Sequence, residues 1–294
     1  MRALSLHSVS FGYDSARTVL EDISLDLGPG WHGLVGINGS GKSTLLALIG
    51  GEVRPTSGVV NAPGRVVLCP QRTDVPSPEV LDLARSHQAA AYVIRGRLDL
   101  DPETIDRWET LSPGERRRWQ VAGALAAEPA VLLLDEPTNH LDQESSGLLI
   151  AELARFRGIG VVATHDRELL DRLTNSTVRV HGGGAVRWAA PYTVARQEWL
   201  RQEQALREQR EAAANQLRTM RKRLDDEQRA ATEKIAKWKR EQRYARPGDH
   251  DTTSAARTRR YRAGQKSAGR RITAVRDETQ RAAEHLASFS IERD

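Results

Sequence analysis

The sequence predicts an α/β body followed by a long α-helical hairpin, and three observations carry that expectation. The stretch Gly36-Ile37-Asn38-Gly39-Ser40-Gly41-Lys42-Ser43 fits G-x-x-x-x-G-K-[ST]. It stands between the apolar run Leu34-Val35 and the helix-forming run Thr44 to Ile49. The second observation is a pair of apolar runs, Ala130 to Glu136 and Gly160 to His165, each ending in titratable residues. They read as buried parallel strands, and open α/β sheets bind ligands at the carboxyl ends of such strands. The third is a change of composition near Thr193, after which glycine and proline are absent until Pro247. The expected division is a body over 1–192 and an arm over 193–294.

In the phosphate-binding loop, glycines let consecutive backbone N–H groups turn toward an anion, and the helix start adds unpaired donors. Lys42 can reach β- and γ-phosphates, and the Ser43 hydroxyl can ligate Mg²⁺. Upstream, residues 4–30 alternate apolar and polar positions and read as short antiparallel strands, with turns at Gly12 and at Gly28-Pro29-Gly30. Tyr13 is either a stacking partner for adenine or an ordinary strand aromatic. Downstream, 51–63 is rich in turn residues, and Arg65 to Gln71 reads as a buried strand running into a polar loop. Gln71 at that strand end can touch Mg²⁺ or an attacking water. Residues 76–110 read as short helices. They lead to Leu111-Ser112-Pro113-Gly114-Glu115, where Ser112 and Glu115 have capping-box spacing and Pro113 falls at the first helical position. At the end of the next strand Asp135 is placed to hold Mg²⁺ and Glu136 to polarise a water as general base. His165 ends its strand beside the same site. A helix over 166–173 and two strands near Val178 and Val186 close the body, with the turn at Gly182-Gly183-Gly184.

Charge divides along the same line. Residues 193–294 carry 25 Lys and Arg against 16 Asp and Glu, net +9; residues 1–192 carry 19 against 23, net −4. A basic arm on a near-neutral body points to a polyanionic partner. One cysteine, Cys69, cannot form an internal disulfide and fits a reducing, cytoplasmic setting. The opening Met1-Arg2-Ala3-Leu4 does not read as a signal peptide, and no apolar run approaches the roughly 20 residues of a membrane span.

In the arm, Trp199, Leu206, Ala213 and Met220 recur at heptad spacing, as do Leu217, Leu224, Ala231 and Trp238. A helix from 193 to 245 is expected to run about 80 Å at the standard rise. Pro247-Gly248-Asp249-His250-Asp251 breaks it; these read as turn residues rather than metal ligands. A basic stretch follows with Arg257, Arg259, Arg260, Arg262, Lys266, Arg270 and Arg271, and then a second helix with Ile272, Val275, Thr279, Ala282 and Leu286 at 3/4 spacing. Arginines near the tip of such a rod suit RNA phosphates and splayed bases.

Taken together, residues 1–192 resemble an ATP-binding cassette (ABC) ATPase along their whole length. The motifs stand in that family's order: Tyr13, the phosphate loop, Gln71, the signature 111–115, Asp135-Glu136, the turn Asn139-His140-Leu141-Asp142, and His165. The resemblance implies a mixed-sheet core with an antiparallel β subdomain and an α-helical signature subdomain. It implies ATP and Mg²⁺ as ligands. Tyr13, Gly36, Asn38, Gly39, Ser40, Gly41, Lys42, Ser43 and Thr44 would bind ATP, and Ser43, Gln71 and Asp135 would hold Mg²⁺. Glu136, His165 and Gln71 would serve catalysis, and Leu141 and Asp142 the D-loop. Thr138 to Asp142, Thr164-His165-Asp166-Arg167 and a charged hairpin after the cassette look like the ABC-F subfamily, whose members lack membrane domains and act on the ribosome. Two departures stand out. Pro113 replaces a glycine and removes one N–H from the signature, and no second cassette follows the arm. In this family the signature serves a nucleotide held by another cassette, so a second cassette is expected in trans or in a longer parent chain. The resemblance leads to an ATPase acting on ribosomal RNA, with antibiotic resistance by ribosomal protection favoured over a general translation factor. Rival readings are an ATP-binding half without turnover, a transporter's nucleotide-binding subunit and a DNA-repair ATPase. The last inserts its coil ahead of the signature, whereas here every motif precedes the arm.

Overall fold

The structure is a computed structural model and describes residues 3–14, 17–72, 74–243 and 252–291. It divides between Trp199 and Leu200 into two compact units.

Among the described residues the first unit holds two sheets. Strands β1 (Leu4–Asp14), β2 (Arg17–Leu27) and β4 (Ser57–Asn61) form an antiparallel sheet in the order β2-β1-β4. Two expectations change here. Gly12 lies inside β1 rather than in a turn. It pairs with Thr18 between register shifts, the role of a bulge glycine that lets a strand bend without ending. The turn-rich 51–63 stretch also contains β4, which pairs with β1 along its edge; its weak pattern reflects a strand that is mostly exposed.

The second sheet is built from β3 (Gly30–Val35), β5 (Val66–Cys69), β6 (Val131–Asp135), β7 (Ile159–Ala163), β8 (Ser176–His181) and β9 (Gly184–Trp188), in the order β5-β6-β7-β3-β8-β9. All neighbours are parallel except the hairpin β8–β9. Residues of β6 alternate between two cores: Leu132 and Leu134 face one with Trp119, while Val131 and Leu133 face the other with Leu45 and Leu46. A strand covered on both faces has no polar side, which is why β6 reads as an unbroken apolar run. The helices are α1 (Lys42–Gly50), α2 (Pro78–Arg85), α3 (Ala89–Arg97), α4 (Pro113–Ala126), α5 (Gln143–Leu153) and α6 (Arg167–Leu173), with a 3₁₀ segment over Pro102–Thr110. The Ser112–Glu115 capping box forms in both directions, at 3.2 Å from Glu115 N to Ser112 Oγ and 2.8 Å from Ser112 N to Glu115 Oε2.

Helix α7 (Tyr192–Arg243) begins in the first unit and continues in the second. Trp199, expected on the hairpin seam, instead joins the first unit's core, with its ring 5.4 Å from Trp188 and 5.9 Å from Tyr192. An aromatic at the root of the helix buries more surface against a core than along a narrow seam.

The second unit is α7 from Leu200 onward together with α8 (Thr252–Ile291). Helix α8 starts 20 residues before Ile272, so the basic stretch is itself helical and not a linker. Ala213, Leu217 and Val275 are buried, and Leu206, Met220, Leu224, Ala231, Trp238, Ile272, Thr279, Ala282 and Leu286 are half-buried. The Trp238 and Tyr261 rings stack at 4.2 Å and 7°, so the helices lie side by side there. The turn residues 247–251 and the Arg257 side chain lie outside the described residues.

Candidate functional site

Four strand ends of the parallel sheet converge on one cavity of about 750 Å³. Strand β3 delivers the phosphate loop, β5 leads to Gln71, β6 ends in Asp135 and Glu136, and β7 ends next to Thr164 and His165. The cavity is lined by Tyr13, Asn38, Gly39, Gly41, Lys42, Ser43, Thr44, Gln71, Asp135, Glu136, Thr164 and His165, among others. Val19, Thr138, Asn139 and Asp166 also line it and were not singled out from the sequence as site residues.

The loop's shape follows from its glycines. A Cβ on Gly36 would come within 2.5 Å of both Ser40 Oγ and the Val180 carbonyl. Gly41 takes φ 101 as N-cap of α1, and no side chain caps that helix start. Such a helix end keeps its N–H groups for an anion. Lys42 is nearly buried, and its Nζ donates to the Gly36 and Ile37 carbonyls at 2.9 and 3.2 Å. The buried Ser40 Oγ has no partner among the described residues. Ser40 and Gly36 shape the loop without lining the cavity; the uncapped amides and the Lys42 ammonium fit a polyphosphate.

Glu136 sits at φ 50, its N–H bonded to the Ala163 carbonyl at 2.8 Å. Thr164 Oγ1 donates to Glu136 Oε2 at 3.0 Å, which aims the carboxylate. His165 Nε2 is 3.1 Å from Asn38 Oδ1 and 3.6 Å from Glu136 Oε1, so it bridges the phosphate loop and the carboxylate. Asp135 is buried beside them. Oxygen donors from Ser43, Gln71 and Asp135 in one cavity suit a hard cation. With a single carboxylate among them, they suit one that keeps waters and phosphate ligands, as Mg²⁺ does. No cluster of three or more His, Cys, Asp or Glu able to cage a metal is present among the described residues. Tyr13 is 72% exposed; its hydroxyl lies 3.1 Å from Thr44 Oγ1 and its ring is edge-on to Phe11 at 5.0 Å. Tyr13 thus lines the cavity with most of its side chain open.

None of Leu111 to Glu115, nor Leu141 or Asp142, lines this cavity. They lie beside each other instead: a Cβ on Gly114 would come 2.9 Å from the His140 carbonyl and 3.4 Å from Leu141 Cδ2. Asp142 caps α5 through Ser145 N at 2.7 Å. Hydrogen bonds from Ser112 hold the Glu115 carboxyl below its usual range, and those from Ser145 do the same for Asp142. Pro113 occupies the first turn of α4 without breaking the capping box.

In the second unit Arg259, Arg260, Arg262, Lys266, Arg270 and Arg271 are all exposed on α8. A cavity of about 720 Å³ beside the Trp238–Tyr261 stack is lined by Lys234, Lys237 and Arg271 and, among the described residues, by no carboxylate.

The family described as ABC transporter matches residues 20–139. A putative ABC transporter ATP-binding protein of Brucella suis is 35% identical over 208 residues, covering 61% of this chain and 86% of that protein. The chain belongs to the ATP-binding cassette family. Its ABC-F character is matched by relatives of that type. The tylosin resistance ATP-binding protein TlrC of Streptomyces fradiae is 37% identical over 243 residues, covering 64% of this chain and 44% of TlrC. The energy-dependent translational throttle protein EttA of Haemophilus influenzae is 31% identical over 261 residues, covering 72% of this chain and 46% of EttA. The chain thus spans less than half the length of these two relatives. The solved dimeric post-hydrolysis state of an ATP-binding cassette bound to ADP and Pi covers 64% of this ABC chain at 20% identity, with a TM-score of 0.54, and shares its fold. No described helix is long and apolar enough to cross a membrane.

Proposed function

We propose that this ABC protein binds and hydrolyses ATP and uses the cycle to act on ribosomal RNA through its helical hairpin. The observation that carries the reading is the convergence of Lys42, Asp135, Glu136 and His165 on one cavity. The uncapped start of α1 and Lys42 bind the β- and γ-phosphates, with the Tyr13 ring against the base. Ser43, Asp135 and Gln71 would hold Mg²⁺, which would supply neutralisation of phosphate charge. Glu136, aimed by Thr164, accepts the proton of the attacking water, and His165 keeps the carboxylate and Asn38 in register.

The signature and D-loop lie apart from the chain's own cavity, which supports their serving a nucleotide in a second cassette, supplied in trans or by a longer parent chain. Exposed cations on α8 and a cavity with Lys234, Lys237 and Arg271 beside two stacked aromatics support a nucleic-acid partner for the hairpin. Relatives named for tylosin resistance and for translational throttling support a ribosomal target. Between those two roles we favour antibiotic resistance by ribosomal protection, because the relative named for resistance has the higher identity. Control of translation is the second reading. The Brucella relative's name favours a transporter subunit, and copurification with a permease would revive that alternative.

The test is co-sedimentation with ribosomes, with and without ATP, using Glu136→Gln. Turnover is expected to fall by about 10²–10⁴-fold, the loss of a general base, while ATP binding is retained and ATP drives the variant onto ribosomes. Reversing Arg259, Arg260 and Arg262 to Glu should then abolish sedimentation. Normal hydrolysis by Glu136→Gln would overturn the assignment of the base, and indifference to ribosomes with every nucleotide would overturn the target.

A further inference from the structure

Arg117 is 2% exposed and stands on the second turn of α4, two residues after the capping-box Glu115. Its guanidinium donates to the Pro70 carbonyl at 2.7 Å and to the Gln71 carbonyl. It also donates to Gln120 Oε1 at 3.3 Å and lies 4.0 Å from Cys69 Sγ. One turn along the same helix, Gln120 Nε2 donates to the Arg72 carbonyl at 3.1 Å. Two side chains of one helix therefore hold three consecutive carbonyls of the loop that carries Gln71.

A buried guanidinium without a carboxylate partner is unusual, because removing the charge from water is costly unless several fixed dipoles replace it. Here those dipoles are the Pro70 and Gln71 carbonyls and the Gln120 side-chain oxygen, so the cation loses two of its three oxygen partners when the loop leaves this path. The fork shape matters as well: two nitrogens reach two adjacent carbonyls, which a point-charge ammonium does not reproduce. Burial pushes the neighbouring Cys69 thiol up to about 11 against the opposing pull of Arg117, so the thiol stays neutral beside the cation.

We propose that Arg117, with Gln120, is the positioning residue that ties the Gln71 main chain to the signature helix. A load on Ser112 to Glu115 then reaches the chain's own nucleotide cavity through α4 rather than through the sheet. The kinetic half of this inference rests on the reading of Gln71 as a Mg²⁺ and water contact; the clamp itself does not.

The test uses the full chain carrying Arg117→Lys, with Gln120→Met as a milder second variant, and reads amide exchange and turnover. Exchange at Gln71 and Arg72 should rise about tenfold in Arg117→Lys, as for a segment that opens locally, with residues 131–136 unchanged. The kcat should fall about tenfold while KM stays within about twofold, the signature of a misplaced group rather than lost binding. In a Gln71→Ala background, Arg117→Lys should add nothing further. Unchanged exchange at Gln71 and Arg72 in both variants, or losses that multiply in the double variant, would overturn the proposal. Faster exchange with normal turnover in Gln71→Ala would uphold the clamp and instead overturn the role given to Gln71.

Discussion

The two units of this chain hold themselves together in different ways. In the first, side chains bond across long stretches of sequence: Trp31 Nε1 reaches the Leu153 carbonyl at 2.9 Å, His32 Nδ1 lies 2.6 Å from Ser176 Oγ, and His165 meets Asn38. In the second, Thr219, Thr232 and Thr273 donate to carbonyls four residues back, and Gln204 and Gln280 bond glutamates four residues on. The first unit's order is therefore collective, while the hairpin's comes from local helix bonds and one narrow seam. A region that must place a carboxylate, a histidine and a phosphate loop together needs many mutual constraints. A rod offering cations along one helix needs few.

Substitutions of the same residue type sharpen that contrast. Trp119→Ala removes a fully buried ring from the core beside β6. It should cost about 3–5 kcal/mol and unfold the nucleotide site with the core, read as a lower denaturant midpoint and lost nucleotide binding together. Trp238→Ala removes half of the hairpin's ring stack. Losing the stack should cost about 0.5–1.5 kcal/mol beyond the modest area the half-exposed ring buries, seen as a loss of helical signal that leaves nucleotide affinity unchanged. Equal losses in the two variants would break the comparison.

The smallest effect concerns pH. His32 is buried, with Nε2 2.8 Å from the Gly28 carbonyl, and burial lowers its pKa from the ordinary 6.5. The folded state keeps the ring neutral while the unfolded chain takes up a proton below that value. Its contribution is full above about 6.5 and is lost as pH falls. Between pH 7 and pH 5 the first unit's melting temperature should therefore drop, and His32→Gln should flatten that slope while leaving the hairpin transition alone.

Much of the site was legible because its parts are local. The phosphate loop, the Ser112–Glu115 capping box and the strand ending in Asp135-Glu136 are each set by neighbours a few residues apart, so spacing and residue type suffice. The Gly12 bulge, strand β4 and the transfer of Trp199 to the body core were not legible in that way. Each depends on what lies across the sheet or at the root of α7.

By itself the sequence determined the phosphate loop's backbone, the helix caps, the run of buried strands and the basic, helical character of the arm, because short-range sterics and hydrogen bonding decide all of these. Only the tertiary structure decided that Thr164 aims Glu136, that Asn38 meets His165 across 127 positions, and that Arg117 grips the Gln71 loop. Those contacts exist because packing two cores onto one sheet brings distant strand ends together, and no local pattern encodes which distant carbonyl a buried cation will find.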